Sequence, residues 1–517
     1  MTEEFELKLR MSPEKLEQLR RSALLRSLAR DRAVTRHLTS IYFDTPDRAL
    51  QRRGIALRIR QIGDRRVQTL KVPLGETGAM QAHRELESDV EGDVPQLQLI
   101  ADDELREFLS QPEIAQSLQP VFSSEIERTA VPVRLFDSEI EVALDRGEIG
   151  AGERRSPLSE AELELKTGRR ERLYELAIAL NEAVPVSLET ETKAARGYRL
   201  AADEGPGSYR ADEVEMTPDM TARAAFSAIA KSALRQLRLN EACSLLGEDI
   251  EGVHQQRVAI RRLRALISAF KDTITRETRS YLAHELKWLQ GVLGPARDWD
   301  VFIEESLAQM RQRLPEEASL PALLAESKRQ RESAYNALRA AIGGPRYTEF
   351  LLRMELWLAK GEWEAPSAAI DDPLDQPISS FVVPILDKRH KKLLKIGGKK
   401  ARLKEAEYHD LRLEFKKMRY LSEFFSRLFA KKPVRRYLKS MTEAQDRLGS
   451  LNDALVSRSL LAQIEGPLTE ALGDSEARRV GGLLLGWQAA WIDRDLDHFE
   501  DVWRGFRKQK RYWRAGD

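Results

Sequence analysis

The sequence predicts a multidomain chain: an N-terminal α+β domain built on strands with one charged face, then an all-α region made of two copies of one helical unit. Three observations predict it. At 517 residues the chain exceeds what one core serves, since single cores stop growing near ~250–300 residues. Near residue 200 the apolar spacing changes from two residues to 3.6. A spaced set of His, Arg, Gly and Asp in the helical part then occurs twice.

The elements follow in order. Glu4-Phe5-Glu6-Leu7-Lys8-Leu9-Arg10, Ile55 to Arg60, Val67 to Val72, Glu139 to Asp145 and Glu162 to Lys166 alternate polar and apolar residues, the mark of strands with one apolar face. Lys193 and Arg196 stand three apart in a helical stretch. The polar, Gly- and Pro-bearing segment 203–218 is the linker that ends a domain over 1–202. Amphipathic stretches such as 221–246 and 253–271 open a helical domain over 219–510, with one repeat at about 219–360 and the next at about 378–510. Pro366 to Pro377 separates the two repeats.

Composition removes several classes of function. No apolar run approaches the ~20 residues that span a bilayer, and the charged start, Met1 to Arg10, has no signal-peptide core. The lone Cys243 can form no internal disulfide and gives thiol catalysis no support. These features predict a reduced, cytoplasmic protein. The Gly397-Gly398-Lys399 run lacks the spacing of a nucleotide-binding P-loop. A net charge of +1 hides a segregation: residues 1–200 hold 31 Lys and Arg against 36 Asp and Glu, and the rest hold 53 against 47. Segment 381–440 has 19 basic and 6 acidic residues, a candidate anion-binding surface.

In a strand, Glu4, Glu6, Lys8 and Arg10 share one face and Phe5, Leu7 and Leu9 the other. One such charged face would simply be wet. Here the pattern recurs at Arg58 and Arg60, at Glu139, Glu141 and Asp145, and at Glu162, Glu164 and Lys166. Closure of these strands into a barrel, apolar residues outward, would line a lumen with carboxylates and cations together. Paired carboxylates hold hard divalent ions such as Mg²⁺, and Lys and Arg neutralise phosphate oxygens, so the mixture fits a metal-bound polyphosphate.

Glu4-x-Glu6-x-Lys8 resembles the signature of the CYTH, or triphosphate tunnel metalloenzyme, family. Tyr42-Phe43-Asp44-Thr45, Leu57 to Arg60, Thr69-Leu70-Lys71, Arg84 to Glu87, Glu162 to Lys166 and Lys193 to Tyr198 follow in that family's order. The resemblance covers roughly residues 1–200. It implies an eight-stranded antiparallel tunnel that hydrolyses or cyclises triphosphate compounds with Mg²⁺ or Mn²⁺. It further implies that Glu4, Glu6, Glu162, Glu164 and Asp145 are metal ligands or hold the attacking water. By the same resemblance Lys8, Arg58, Arg60, Lys71, Arg84, Arg128, Lys166, Lys193 and Arg196 bind phosphate. Glu4, Glu6, Lys8, Glu162 and Glu164 make up its catalytic set. His37 and His83 are read as structural or exposed.

In the helical region, His254-x-x-Arg257-x-x-x-Arg261-Arg262-x-Arg264 matches His409-x-x-Arg412-x-x-x-Lys416-Lys417-x-Arg419 at every spacing. Gln290, Leu293-Gly294 and Arg297-Asp298 continue the register against Gln445, Leu448-Gly449 and Asn452-Asp453. With His254 as zero and ~100° per residue, Arg264, Arg257 and Arg261 fall near ~280°, ~300° and ~340°, with Arg262 near ~80°. Ile260, Leu263, Leu266 and Ile267 take the opposite, apolar face. A basic stripe without acids on it calls for an anionic ligand, and each His can donate to a phosphate oxygen.

The doubled pattern resembles the CHAD, or conserved-histidine α-helical, domain over about 219–510. This implies tandem four-helix bundles around a basic cavity that binds inorganic polyphosphate through those ten residues. Lys416 and Lys417 replace Arg261 and Arg262 in the second copy, which keeps charge but loses bidentate recognition. Joined, the two resemblances imply an inorganic triphosphatase, cytoplasmic and able to reach polyphosphate granules. Its alternatives are thiamine triphosphate or ATP as substrate, or a non-catalytic polyphosphate-binding or granule-targeting protein. Nucleic-acid binding is disfavoured, because Trp288 and Trp299 do not interleave with the basic stripe.

Overall fold

The computed structural model describes residues 2–75, 78–361, 372–398 and 405–514. Part of the inter-repeat boundary read at Pro366 to Pro377, part of the 381–440 basic run and Lys399 lie outside the described residues. The chain divides into two compact units, Met1–Pro206 with Ala341–Glu362, and Gly207–Ala340 with Trp363–Asp517.

The first unit is a closed antiparallel barrel. Its strands are β1 (Thr2–Arg10), β2 (Val34–Asp44), β3 (Ala56–Ile62), β4 (Arg65–Pro73), β5 (Gln81–Asp89), β6 (Gln119–Leu135), β7 (Ser138–Ala151) and β8 (Arg154–Thr167), with the short β9 (Ser187–Glu189) beside β1. They pair in the order β5-β4-β3-β2-β6-β7-β8-β1, and β1 returns to β5 to close the ring. Each strand expected from alternation is present.

Closure turns the apolar positions outward. Leu7, Leu9 and Leu163 are fully buried, and helix Glu171–Ala183 packs over β1 and β8 with Leu173, Leu176, Ala177 and Leu180 sealed from water. On the other side Leu57, Ile59, Leu70 and Leu86 meet Ile100, Leu109 and Ile114. Burial of each such side chain contributes roughly 1.5–3 kcal/mol, so the charged faces are left to the lumen.

Two further helices complete this unit. Helix Lys193–Ala202, capped by the Thr192 hydroxyl accepting from Ala195 N–H, lies against β6, β7 and β8. Its Gly197 leaves no room for a Cβ beside Phe122, which stacks on Tyr42 at 4.4 Å and meets the Tyr198 ring edge at 5.1 Å. Helix Pro345–Lys360 packs on helix Glu171–Ala183, although it starts 143 residues after Ala202, the end of the barrel's last helix. Asn181 Nδ2 donates to Pro345 O (3.0 Å), Thr348 Oγ1 donates to Val186 O (2.8 Å), and Lys360 pairs with Glu175 (3.0 Å). The buried Glu355 reaches the β4–β5 connection at Gly78, which has positive φ and no space for a side chain.

The second unit is helical. The first repeat holds Ala222–Leu239, Glu251–Ala269, Arg276–Val301 and Leu320–Ile342, and the second Ile378–Gly397, Glu405–Phe424, Lys431–Leu472 and Asp474–Arg507. The repeats bridge at their starts, where Ala222 N–H donates to Gln376 O (2.9 Å) and Ile378 N–H to Met220 O (2.8 Å). They also share a core in which Trp299, Phe302, Leu320 and Leu323 meet Leu460, Ile464 and Val480. Among the described residues no helix is long and apolar enough to cross a membrane.

Candidate active site and basic groove

The barrel encloses a cavity of about 490 Å³. Alternation along β1 and β8 puts Lys8 opposite Glu162 and Glu6 opposite Glu164, so cross-strand neighbours carry the lumen's charge. The lining includes Glu4, Glu6, Glu85, Glu87, Glu162 and Glu164 against Lys8, Arg58, Arg60, Lys71, Arg128 and Lys193. Six carboxylates face six cations.

The charges are not evenly paired. Lys8 Nζ lies 3.2 Å from Glu6 and 3.0 Å from Glu162, and Lys71 pairs with Glu85 and, at 3.3 Å, with Glu4. Lys193 Nζ meets Asp145, Glu160 and Glu162 at 2.8, 2.6 and 2.7 Å. Arg128 grips Asp145 through Nε (2.7 Å) and Nη2 (2.6 Å) and also bonds Glu162. Burial opposes ionisation of Glu6 and Glu162, but Lys8 and Lys71 hold Glu6 down to about 2, and Lys193, Lys8 and Arg128 hold Glu162 well below its ordinary value.

Two places remain uncompensated. On β3, Arg60 bonds Ser40 Oγ (3.2 Å), its single hydrogen bond among the described residues, and burial with Arg58 and Arg128 nearby lowers it to about 9. Among the described residues Arg58 has its nearest carboxylate oxygen, Glu85, at 3.9 Å, and its buried Nε has no hydrogen-bond partner. Across the lumen the opposite holds for Glu164, which is raised by burial and by Glu4 and Glu141 despite Lys166. One wall is therefore short of anions, and among the described residues the other has a single exposed cation, Lys166, at Glu164.

Several sequence-predicted residues stand apart from the cavity. Arg84 sits on β5 between lumenal His83 and Glu85 in the chain, so the period of two turns it outward, where it pairs with Asp102 (2.9 Å). Lys166 is at the exposed rim paired with Glu164. Arg196 bonds Pro157 O (2.9 Å) and lies 3.7 Å from Glu160. Asp145 is fully buried behind Arg128 and Lys193.

Four other groups gained no role from sequence. Glu85 and Glu87 follow Arg84 in its motif, Glu160 is two before Glu162 on the same face, and Tyr42 lines the cavity beside Arg58. His83, read as structural or exposed, is lumenal: its Nδ1 is 3.7 Å from Glu6, and burial with Lys71 pushes it down to about 4, so the ring is neutral. Its spacing of two from Glu85 was the available signal. His37 is exposed.

In the helical unit, helices Glu251–Ala269 and Glu405–Phe424 pack together and bring Arg257, Arg261, Arg412 and Lys416 into one electrostatic group. Burial and the three arginines lower Lys416 to about 7. Arg257 and Arg412 are lowered as well, by burial first and then by their cationic neighbours. Among the described residues no carboxylate lies within 4.0 Å of Arg261 or Lys416, and the buried Nε atoms of Arg261 and Arg412 have no partner.

The acids absent from the stripe come from the next helices. Asp298 stands 3.9 Å from Arg257, and Arg412 Nη1 bonds Asn452 Oδ1 (3.1 Å) beside Asp453. Arg297, noticed in the sequence only as part of the repeat register, joins the group through its effect on His254. Burial and Arg297 lower His254 to about 4, so it is neutral rather than poised near pH 7. Arg264 bonds Gln290 and Arg419 bonds Gln445 (3.2 Å), equivalent pairs in the two repeats. The structure does not bring Arg262 or Lys417 into the group: Arg262 bonds Gln236 (2.8 Å) and Ser232 (3.1 Å), and Lys417 pairs with Glu414 (2.8 Å). His409 is exposed.

Comparison with known proteins adds to this geometry. Residues 2–198 match the CYTH domain and residues 228–462 the CHAD domain. The inorganic triphosphatase of Haemophilus influenzae is 31% identical over 204 residues, 39% of this chain and 56% of that protein, so the match spans little more than half of the relative. The CHAD domain from the plant Ricinus communis aligns with a TM-score of 0.51 at 27% identity, over 60% of this chain and 99% of that one.

Proposed function

We propose that this chain, which carries a CYTH domain followed by a CHAD domain, hydrolyses inorganic triphosphate to diphosphate and phosphate in its tunnel and binds inorganic polyphosphate in its helical groove. One observation carries the first half: the cavity sets an anion-deficient wall, Arg58 and Arg60, across from a cation-deficient one around Glu164. Six cations already face six carboxylates, so a naked polyanion would find no net positive charge. A triphosphate bound with a divalent ion supplies both missing charges.

Glu4, Glu6 and Glu164 offer the hard oxygen ligands, and a Glu164 raised by burial and by its acidic neighbours supports placing Mg²⁺ or Mn²⁺ there. Such an ion, when bound, draws charge from the phosphate oxygens. Arg58, Arg60, Lys71, Lys8 and Arg128 take the phosphates, Arg58 and Arg60 through paired N–H bonds. Glu162, kept ionised by Lys8, Lys193 and Arg128, orients the water for in-line attack on the terminal phosphorus. Triphosphate and water then leave as diphosphate, phosphate and a proton.

Among the described residues, Arg261 and Arg412 in the groove of Arg257, Arg261, Arg412 and Lys416 have Nε donors without partners, which the oxygens of a long phosphate chain would engage. A protein so built would work in the cytoplasm and be drawn to polyphosphate granules.

The test is phosphate release with Mg²⁺ from triphosphate, ATP, thiamine triphosphate and long-chain polyphosphate. Triphosphate is expected to be the best substrate, and no release from any of the four overturns the proposal. Polyphosphate retention at moderate salt should be lost in the combined Arg257→Ala, Arg412→Ala protein; unchanged retention rules out the groove.

A further inference from the structure

Asp145, Glu160 and Glu162 each offer an oxygen within 4.8 Å of the others, a buried set of hard ligands that would suit a divalent cation. The same set already surrounds a cation. Lys193 Nζ lies 2.8, 2.6 and 2.7 Å from the three carboxylates. Other cations crowd the set as well: Arg128 bonds both oxygens of Asp145 and the second of Glu162, Lys8 is 3.0 Å from the Glu162 oxygen that Lys193 meets, and Arg196 stands 3.7 Å from the second oxygen of Glu160.

We propose that Lys193 is the resident cation of this trio, and that the ammonium keeps divalent ions out of it and confines them to the Glu4, Glu6 and Glu164 end of the tunnel. A divalent ion bound to the three oxygens would stand where Nζ stands, and two cations cannot share so small a buried space. Nor can Nζ easily withdraw. The Lys193–Ala202 helix is capped by Thr192 immediately before it and seated on Phe122 at Gly197 four residues later.

The tethered charge thus does for the inner carboxylates what a second ion would do, and it does so whether or not metal is available. The barrel wall formed by β7 and β8 stays neutralised in the metal-free protein. This inference rests on the metal-dependent reading of the tunnel only for the ion at the outer end.

The experiment counts Mn²⁺ bound per full-length chain by electron paramagnetic resonance of the free ion. Lys193→Met is expected to bind one Mn²⁺ more than wild type, Lys193→Arg none more, and Glu160→Gln added to Lys193→Met should remove the gain. In the wild-type background Glu160→Gln should leave the count unchanged. A wild-type chain that loses one Mn²⁺ on Glu160→Gln, or a folded Lys193→Met chain that gains none, overturns the proposal. Should Lys193→Met fail to fold, the wild-type comparison with Glu160→Gln decides alone. The count needs no turnover, so a chain that hydrolyses nothing would sink the triphosphatase reading and still test this one.

Discussion

Gly197→Ala tests how the Lys193 helix is held. A Cβ there would lie 2.6 Å from Phe122 Cγ and nearer still to two other ring carbons, whereas ordinary contact begins at 3.4 Å. The helix must recede by at least the difference, about 0.8 Å. Phe122 cannot absorb it, being buried and stacked on Tyr42. The same retreat at Lys193 would stretch contacts of 2.6–2.8 Å to at least about 3.4–3.6 Å, outside hydrogen-bond range. Overpacking of this kind costs ~1–3 kcal/mol. A middle value of ~2 kcal/mol is close to 30-fold in an opening equilibrium. Hydrogen exchange read by mass spectrometry on peptides covering 192–202 should therefore quicken by about 30-fold, while peptides from the helical repeats exchange as before. Exchange at the wild-type rate throughout would refute the claim that this helix is seated by glycine.

Arg60→Met should separate binding from folding. It relieves repulsion from Arg58 and Arg128, so stability is expected to hold or rise, while kcat/KM for triphosphate falls ~10- to 150-fold for the loss of a charged hydrogen bond of ~1.5–3 kcal/mol. A destabilised protein with unaltered kinetics would reverse the assignment. Lys416 predicts a pH dependence: it sits near 7 without ligand and must rise when phosphate binds, so polyphosphate affinity is flat below about pH 7 and weakens as pH rises above it. Titrations at constant ionic strength from pH 6 to 9 should show the fall in wild type and not in Lys416→Met. Thr348→Val leaves the buried Val186 carbonyl unpaired and should cost ~1–3 kcal/mol, seen as faster proteolysis within the barrel unit; an unchanged rate would mean that helix Pro345–Lys360 is not part of its fold.

Much of the architecture was legible because it is written in local periods. A spacing of two marked β1, β3, β4, β7 and β8, and it also placed Glu4, Glu6 and Lys8 on a single face. The doubled His-Arg pattern marked two related sets of helices, and the matching bonds Arg264–Gln290 and Arg419–Gln445 sit where the register put them. Motif order named most lumenal residues but attached Arg84 to the wrong side of β5, since a motif lists neighbours in sequence and a pleat separates them.

By itself, then, the sequence determined which elements form and which side chains share a face, because backbone geometry repeats every two or 3.6 residues. Only the tertiary structure decided which partners those faces meet. Closure of β1 onto β5 made one face a lumen; the return of residues 193–202 set an ammonium among three carboxylates; and helix Pro345–Lys360 joined a barrel that sequence order had left behind. Each of these contacts links residues far apart in the chain, and no local period carries information across that distance.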